Sequence, residues 1–219
     1  TWTPEGGLAA LPDLPPARAV LDGQGRLWFG YSTNQVVILE GAHVRSLNEE
    51  HGLRTGTVTA ILPGEPTLVG GALGLAAFDG ARFRMLRATH AEVLTGITGL
   101  VKTEDGALWL NGHAGGARIA AEDLRRALAE PDFVMPVERF DMNDGMPGGA
   151  QQIRPLPTLV QGGDGRLWFA AVNGLGWMDP RRIERNALPP PVMIRSVSSG
   201  ETSYAGTARL ELPPRTREL

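Results

Sequence analysis

The residues best equipped for chemistry in this chain are few and poorly grouped. Four histidines, His43, His51, His90 and His113, stand far apart. They form neither an HExxH nor an HxH pair, so local spacing brings no two of them to one zinc ion, and they read as solvated loop residues. No GxSxG elbow presents a serine nucleophile, and no GxxxxGK[ST] loop cradles phosphates. Cysteine is absent, which removes thiol catalysis, disulfides and cysteine-ligated metals. Asp22, Asp105 and Asp164 each precede a tryptophan at a recurring turn, which favours side-chain capping of the turn over general acid–base work. Neither a catalytic residue, a metal nor a cofactor is expected.

The charge balance narrows the partners. The 219 residues carry 21 basic and 24 acidic side chains, for a net charge of −3, and Lys102 is the only lysine. Without a dense basic run a nucleic-acid groove is not expected, since phosphate neutralisation needs clustered positive charge. No apolar run approaches the roughly 20 residues of a membrane span, so no membrane contact is expected from this segment. The opening Thr1-Trp2-Thr3-Pro4 lacks both an initiator Met and a signal-peptide pattern, and reads as a processed product or an excised piece.

The elements that would position any site emerge from self-similarity. Asp22 to Gly30 reads DGQGRLWFG, Glu104 to Gly112 reads EDGALWLNG, and Gly163 to Ala171 reads GDGRLWFAA. Trp28 and Trp109 stand two periods of about 40 residues apart. A degraded copy, GEPTLVGG from Gly64 to Gly71, lies midway with Leu68 in the tryptophan slot. The third interval is longer, and the surplus AAEDLRRALAEP puts Leu124, Ala127 and Leu128 on one helical face. Each unit contains short β-like runs divided by turn residues, which accounts for the 29 glycines and 17 prolines. A period of about 40 with four antiparallel strands is the dimension of a β-propeller blade.

The expected fold is therefore all-β: about four four-stranded antiparallel blades, with cores near 17–47, 57–87, 97–140 and 157–179 and one short helix inserted near 120–130. The propeller region would span 1–184. The fourth unit shows no clear outer strand, so either Thr1 to Thr3 completes it in a closed ring, or the blades belong to a larger propeller of about seven; the second is preferred because four blades of a larger wheel leave two apolar edges that missing blades or self-association would cover. In such a fold the loops leading into each blade gather on one rim with the turns between second and third strands. There the densest amide and guanidinium donors are Gln151, Gln152 and Arg154, joined by Asn111, His113 and Asn173, with Tyr31 and Asn34 on the first blade. Amides and arginine beside an aromatic ring suit a polyhydroxylated or anionic small molecule.

These repeats resemble the two-component regulator propeller repeats of bacterial sensor histidine kinases. The acidic-Gly-Leu turn is matched by Glu50-His51-Gly52-Leu53 and Asn143-Asp144-Gly145-Met146, and the following strand by Thr57-Val58-Thr59-Ala60-Ile61. The three tryptophan segments match the turn and second strand, while Gly74-Leu75 and Gly174-Leu175 match the closing strand. The tail from 185 to 219, with PPPVMIRSVSSGE and LELPP, is similar to a linker and the first strand of the β-sandwich that follows such propellers. The Gly-Thr that follows the tryptophan in the family is replaced here, and the second unit has lost the tryptophan. The resemblance implies a periplasmic or extracellular region of an inner-membrane sensor, not itself an enzyme, that answers to a small molecule such as a carbohydrate and signals to a cytoplasmic kinase. A propeller lyase or hydrolase and a protein-interaction scaffold are the other readings.

Overall fold

In the computed structural model the described residues are 11–152, 156–183, 196–199 and 202–205. Strand β1 (Arg18–Leu21), β2 (Leu27–Tyr31), β3 (Gln35–Glu40) and β4 (His43–Leu47) form the first antiparallel sheet. The second holds β5 (Val58–Leu62), β6 (Thr67–Gly71), β7 (Leu75–Phe78) and β8 (Phe83–Met85). A short β9 (Arg87–Ala88) leads to the third, made of β10 (Gly99–Lys102), β11 (Leu108–Gly112), β12 (Gly115–Ile119) and, beyond an insertion, β14 (Glu138–Phe140). The insertion carries helix α1 (Ala121–Ala129) and β13 (Val134–Met135), which pairs parallel with β9. Among the described residues the fourth sheet has three strands, β15 (Leu159–Gln161), β16 (Leu167–Ala171) and β17 (Gly174–Met178). The first strands adjoin one another in the order β1, β5, β10, β15, so the sheets stand as successive propeller-like blades with their first strands innermost.

The chain divides into two compact units, Thr1–Ile183 and Glu184–Leu219. Of the second, the described part is an antiparallel hairpin of β18 (Ser196–Ser199) and β19 (Thr202–Ala205). Thr1 to Thr3, the less favoured of the two ways of completing the fourth blade, and Leu210 to Pro214, expected in the opening of a sandwich, lie outside the described residues.

The repeat frame works because one turn is built three times. Gly25, Gly106 and Gly165 each stand three residues before their tryptophan and have φ of 79°, 82° and 84°. That is the left-handed region where a Cβ is strained, so glycine is needed at the close of each hairpin. The carboxylates do not share this register. Asp105 and Asp164 stand one residue before the glycine, whereas Asp22 stands three before it, so its equivalents are Thr103 and Gly162. Asp105 accepts from the Ala107 amide and Asp164 from the Arg166 amide, at 3.2 and 3.0 Å, as turn caps.

Alternation along the strands gives each blade two apolar faces. Trp28 and Trp109 are both fully buried. Trp28 meets Phe78 of the second blade edge-to-face at 5.5 Å, in a cluster with Val58 and Val69. Trp109 joins a cluster with Leu159, Leu167 and Phe169 of the fourth. Each tryptophan thus packs onto the blade that follows. In the second blade the slot holds the smaller Leu68, and its cluster recruits Leu124, Ala127 and Leu128 of α1 together with Met135. A cavity of about 50 Å³ lined by Leu68, Leu124 and Leu128 marks the volume that remains.

Candidate functional site

Hydrogen bonds between consecutive connections gather the loops onto one rim. Leu73 donates to Thr55 O, Gly96 to Ala72 O, His113 to Thr95 O, Ala150 to Gly112 O and Val172 to Gly149 O, all between 2.8 and 3.0 Å. Each of these ties a turn between second and third strands to a segment entering a blade. The segment 147–152 is held most closely. Asn173 donates to Pro147 O and Gln151 to Ala170 O at 3.2 Å, and a Cβ on Gly149 would sit 2.4 Å from His113 O. Backbone meets backbone there, which only glycine permits.

The predicted residues separate into two groups on this scaffold. Asn34 adopts φ 54°, donates to Leu53 O at 2.8 Å and accepts from the Gly56 amide at 3.0 Å. Asparagine tolerates the left-handed region, and both halves of its amide stitch the first blade to the segment entering the second. Asn111 is wholly buried, and its amide nitrogen donates to Thr158 O, Thr158 Oγ1 and Ala170 O, at 3.1 to 3.2 Å. It fastens the third blade to the fourth beside the 2.7 Å contact of the Thr98 and Thr158 hydroxyls. Tyr31 is only 3% exposed, and burial pushes its phenol pKa up. These three side chains are therefore taken up by the fold rather than offered at the surface, the two amides by bonds to backbone of the following blade and Tyr31 by burial.

The remaining residues stay near the surface. His113 and Gln152 are exposed and share Gly96: the Gln152 amide donates to Gly96 O at 3.1 Å, and the His113 ring packs so closely that a Cβ on Gly96 would meet it at 2.5 Å. Gln152 also donates to Ala150 O at 3.1 Å. Asn173 is exposed beside Gly148, and Gln151 is half-buried. Arg154 lies outside the described residues. An imidazole and two amides thus border one loop segment, a set able to donate to and accept from hydroxyl groups.

The opposite rim, formed by the glycine hairpins, contains cavities that sequence reasoning did not reach. One of about 570 Å³ lies between the third and fourth blades and is lined by Thr103, Glu104, Asp105, Gln161 and Arg181 among others. Its charges are largely paired. Arg181 grips Asp179 through two bonds of 2.9 and 3.0 Å, and these bonds hold the Asp179 carboxyl down at about 2. The Thr103 hydroxyl, 2.6 Å away, does the same in direction for Asp105, opposed by burial and helped by the Ala107 amide and Arg118. Among the described residues no three His, Asp or Glu side chains converge to hold a metal ion, and no helix is long and apolar enough to cross a membrane.

With this geometry, comparison with solved structures is informative. The fold is similar to extracellular domains of bacterial sensor systems. The extracellular domain of BT3049 from B. thetaiotaomicron, assigned as a hybrid two-component system, superposes over 90% of this chain with a TM-score of 0.63 at 18% identity. The extracellular domain of BT4673 from the same organism, assigned in one structure as a one-component and in another as a hybrid two-component system, superposes with TM-scores of 0.60 and 0.51 at 13% and 11% identity, over 74% and 90% of this chain. The chain spans about a quarter of these neighbours, 27%, 23% and 24% of their lengths. No protein-family model and no curated protein matches the sequence.

Proposed function

We propose that this chain is a ligand-sensing segment of an extracytoplasmic receptor of the two-component type, held outside the inner membrane and not itself an enzyme. The observation that carries the reading is the blade architecture shared with extracellular sensor domains over 90% of the chain. The residues support it: Asp105 and Arg181 beside the largest described cavity are paired with Arg118 and Asp179, while the exposed His113, Gln152 and Asn173 border the other rim. The ligand is a small polyhydroxylated molecule of the carbohydrate class, because amide and imidazole groups can satisfy hydroxyls that both donate and accept. Binding at the rim would tighten the segment 147–152 against both neighbouring blades, and the chain beyond Glu184 would carry the change onward.

The test is a thermal-shift screen of the 219-residue chain against mono- and oligosaccharides and divalent cations, with product analysis of every sugar that binds. Stabilisation by a sugar that is recovered unchanged supports the sensor. Turnover, or a requirement for a cation, moves the chain to the propeller lyases and hydrolases. Loss of the shift in Gln161→Ala, with His113→Ala unaffected, would move the site to the 570 Å³ cavity of the other rim.

A further inference from the structure

The hairpin between the first two strands of a blade recurs, and its side chains vary where the turn does not need them. Two residues before each tryptophan slot stand Arg26, Pro66, Ala107 and Arg166. The turn therefore closes without an arginine. At the joint between the first and second blades, Arg26 lines a cleft of about 330 Å³ together with Gln24, Glu65, Phe78 and Asp79 among others. A recess of about 200 Å³ bounded by Asp22, Gln24, Arg26 and Glu65 adjoins it. At the second joint helix α1 fills the corresponding space down to about 50 Å³. At the third joint Ala107 supplies no charge, and Asp105 and Arg181 already have partners.

Arg26 is held from behind. Its Nε donates to Asp22 Oδ2 at 2.7 Å, and its guanidinium lies 5.6 Å from the centre of the Trp28 ring. Asp22 is fixed in turn by the Trp28 indole and by the Gln24 and Arg26 amides. The two terminal nitrogens of Arg26 remain, a planar fork that matches a carboxylate. Asp79 accepts from the Ala81 and Arg82 amides through Oδ1, both at 2.8 Å, which leaves Oδ2, and Glu65 is exposed. Among the described residues Arg26 pairs with Asp22 alone, and neither Glu65 nor Asp79 forms an ion pair. One cation and two carboxylates thus share a cleft without bonding to one another. Phe78, 5% exposed, and Pro66 give it an apolar wall.

We propose that the cleft between the first and second blades binds a free α-amino acid with a short aliphatic side chain. The carboxylate of the ligand takes the terminal nitrogens of Arg26, its ammonium donates to Glu65 and Asp79, and its side chain lies toward Phe78 and Pro66. Bonds in which both partners are ionised are the strong ones, and this set needs both signs of charge on one small molecule. A neutral sugar leaves all three side-chain charges unpaired, and a simple anion or cation answers one sign only. The cleft of about 330 Å³ stands at the lower end of the roughly 300 to 1,000 Å³ of ligand pockets, which suits a ligand of this size. It opens on the hairpin rim, opposite His113 and Gln152, and does not rest on the sugar reading.

Calorimetric titration of glycine, L-alanine, L-valine and L-leucine into the 219-residue chain tests this. The expected result is saturable binding of at least one of them. Its N-acetyl derivative lacks the ammonium and its carboxamide lacks the carboxylate, and each should bind about tenfold more weakly or worse. Glu65→Gln alters an exposed side chain and should weaken binding by about tenfold in a normally folded protein. A Cβ on Gly64 meets only Pro66 O, at 3.5 Å, so Gly64→Phe is accommodated by the backbone and should abolish binding by filling the cleft. His113→Ala/Gln152→Ala should bind the amino acid as wild type does. Absence of binding by all four amino acids, or equal binding of the N-acetyl and carboxamide forms, overturns the zwitterion. Unchanged affinity in Glu65→Gln and Gly64→Phe, or loss of binding in the His113→Ala/Gln152→Ala variant, overturns the site.

Discussion

The Asp22 carboxylate accepts the indole N–H of the buried Trp28 at 2.8 Å, joining the first hairpin to the apolar joint between two blades. Its other bonds come from the Arg26 guanidinium at 2.7 Å and from the Gln24 and Arg26 amides, both at 2.9 Å. Burial by itself raises this carboxyl, but the bonds from Trp28 and Arg26 outweigh it and hold the pKa at about 2. A carboxyl depressed below its unfolded value binds fewer protons folded than unfolded, so its stabilisation is complete above the unfolded pKa near 3.8 and is lost as the pH falls toward 2. Denaturant titrations of wild type and Asp22→Ala should differ by about 2 kcal/mol near neutral pH, the scale of a hydrogen bond to a charged group. The difference should shrink between pH 4 and pH 2, and a gap constant over that range would contradict the assignment.

The third blade lacks this bond. Thr103 stands where Asp22 does, and the turns correspond: Asp22 donates to Arg26 O and Thr103 to Ala107 O, each at 3.0 Å. The Trp109 Nε1 is buried without a partner. Thr103→Asn should supply the missing acceptor through its amide oxygen while its NH2 still faces Asp105, and should raise the midpoint of thermal unfolding by about 1 kcal/mol of stability. Thr103→Val keeps the shape without an acceptor and should lower it.

Helix α1 stands in for the tryptophan missing from the second blade. Leu124 is 3% exposed and shares its cluster with Leu68. Leu124→Ala and Leu68→Ala should each cost about 2 to 5 kcal/mol in urea unfolding. The double variant should cost measurably less than the two combined, since both enlarge one cavity. Additive losses would place the helix outside the blade's core.

The contact of Gly149 with His113 O sets the rim. Gly149→Ala should push the segment 147–152 away by forcing a Cβ to within 2.4 Å of that oxygen. Amide exchange should accelerate at Ala150 and Val172, whose bonds to Gly112 O and Gly149 O depend on the approach, while exchange in the first blade stays unchanged.

What could be read from the sequence follows from what repeats. Trp28, Trp109 and Trp168, each three residues after a glycine that must adopt positive φ, exposed the blade frame, because that turn demands one residue type wherever it recurs. Leu124 and Ala127 revealed the helix through their spacing. The sites were less legible because polar residues at strand ends look alike until neighbouring blades are in place. Asn111 and His113 lie two residues apart, yet one is sealed against Thr158 and Ala170 and the other is exposed. The difference depends on carbonyls 47 and 59 residues further along the chain. The bond from Trp28 to Asp22 is illegible in the sequence for the opposite reason: its acceptor is present in one repeat and replaced by Thr103 and Gly162 in the others.

Calorimetric titration of the sugar identified in the screen into wild type and into His113→Ala/Gln152→Ala tests the central claim most directly. Both side chains are exposed, and loss of the Gln152 bonds to Gly96 O and Ala150 O should cost the double variant about 1 to 2 kcal/mol while leaving it folded. The account predicts saturable binding by wild type, at least tenfold weaker binding by the double variant, and recovery of the sugar intact. Equal affinity in the two proteins, or conversion of the sugar to product, would contradict it.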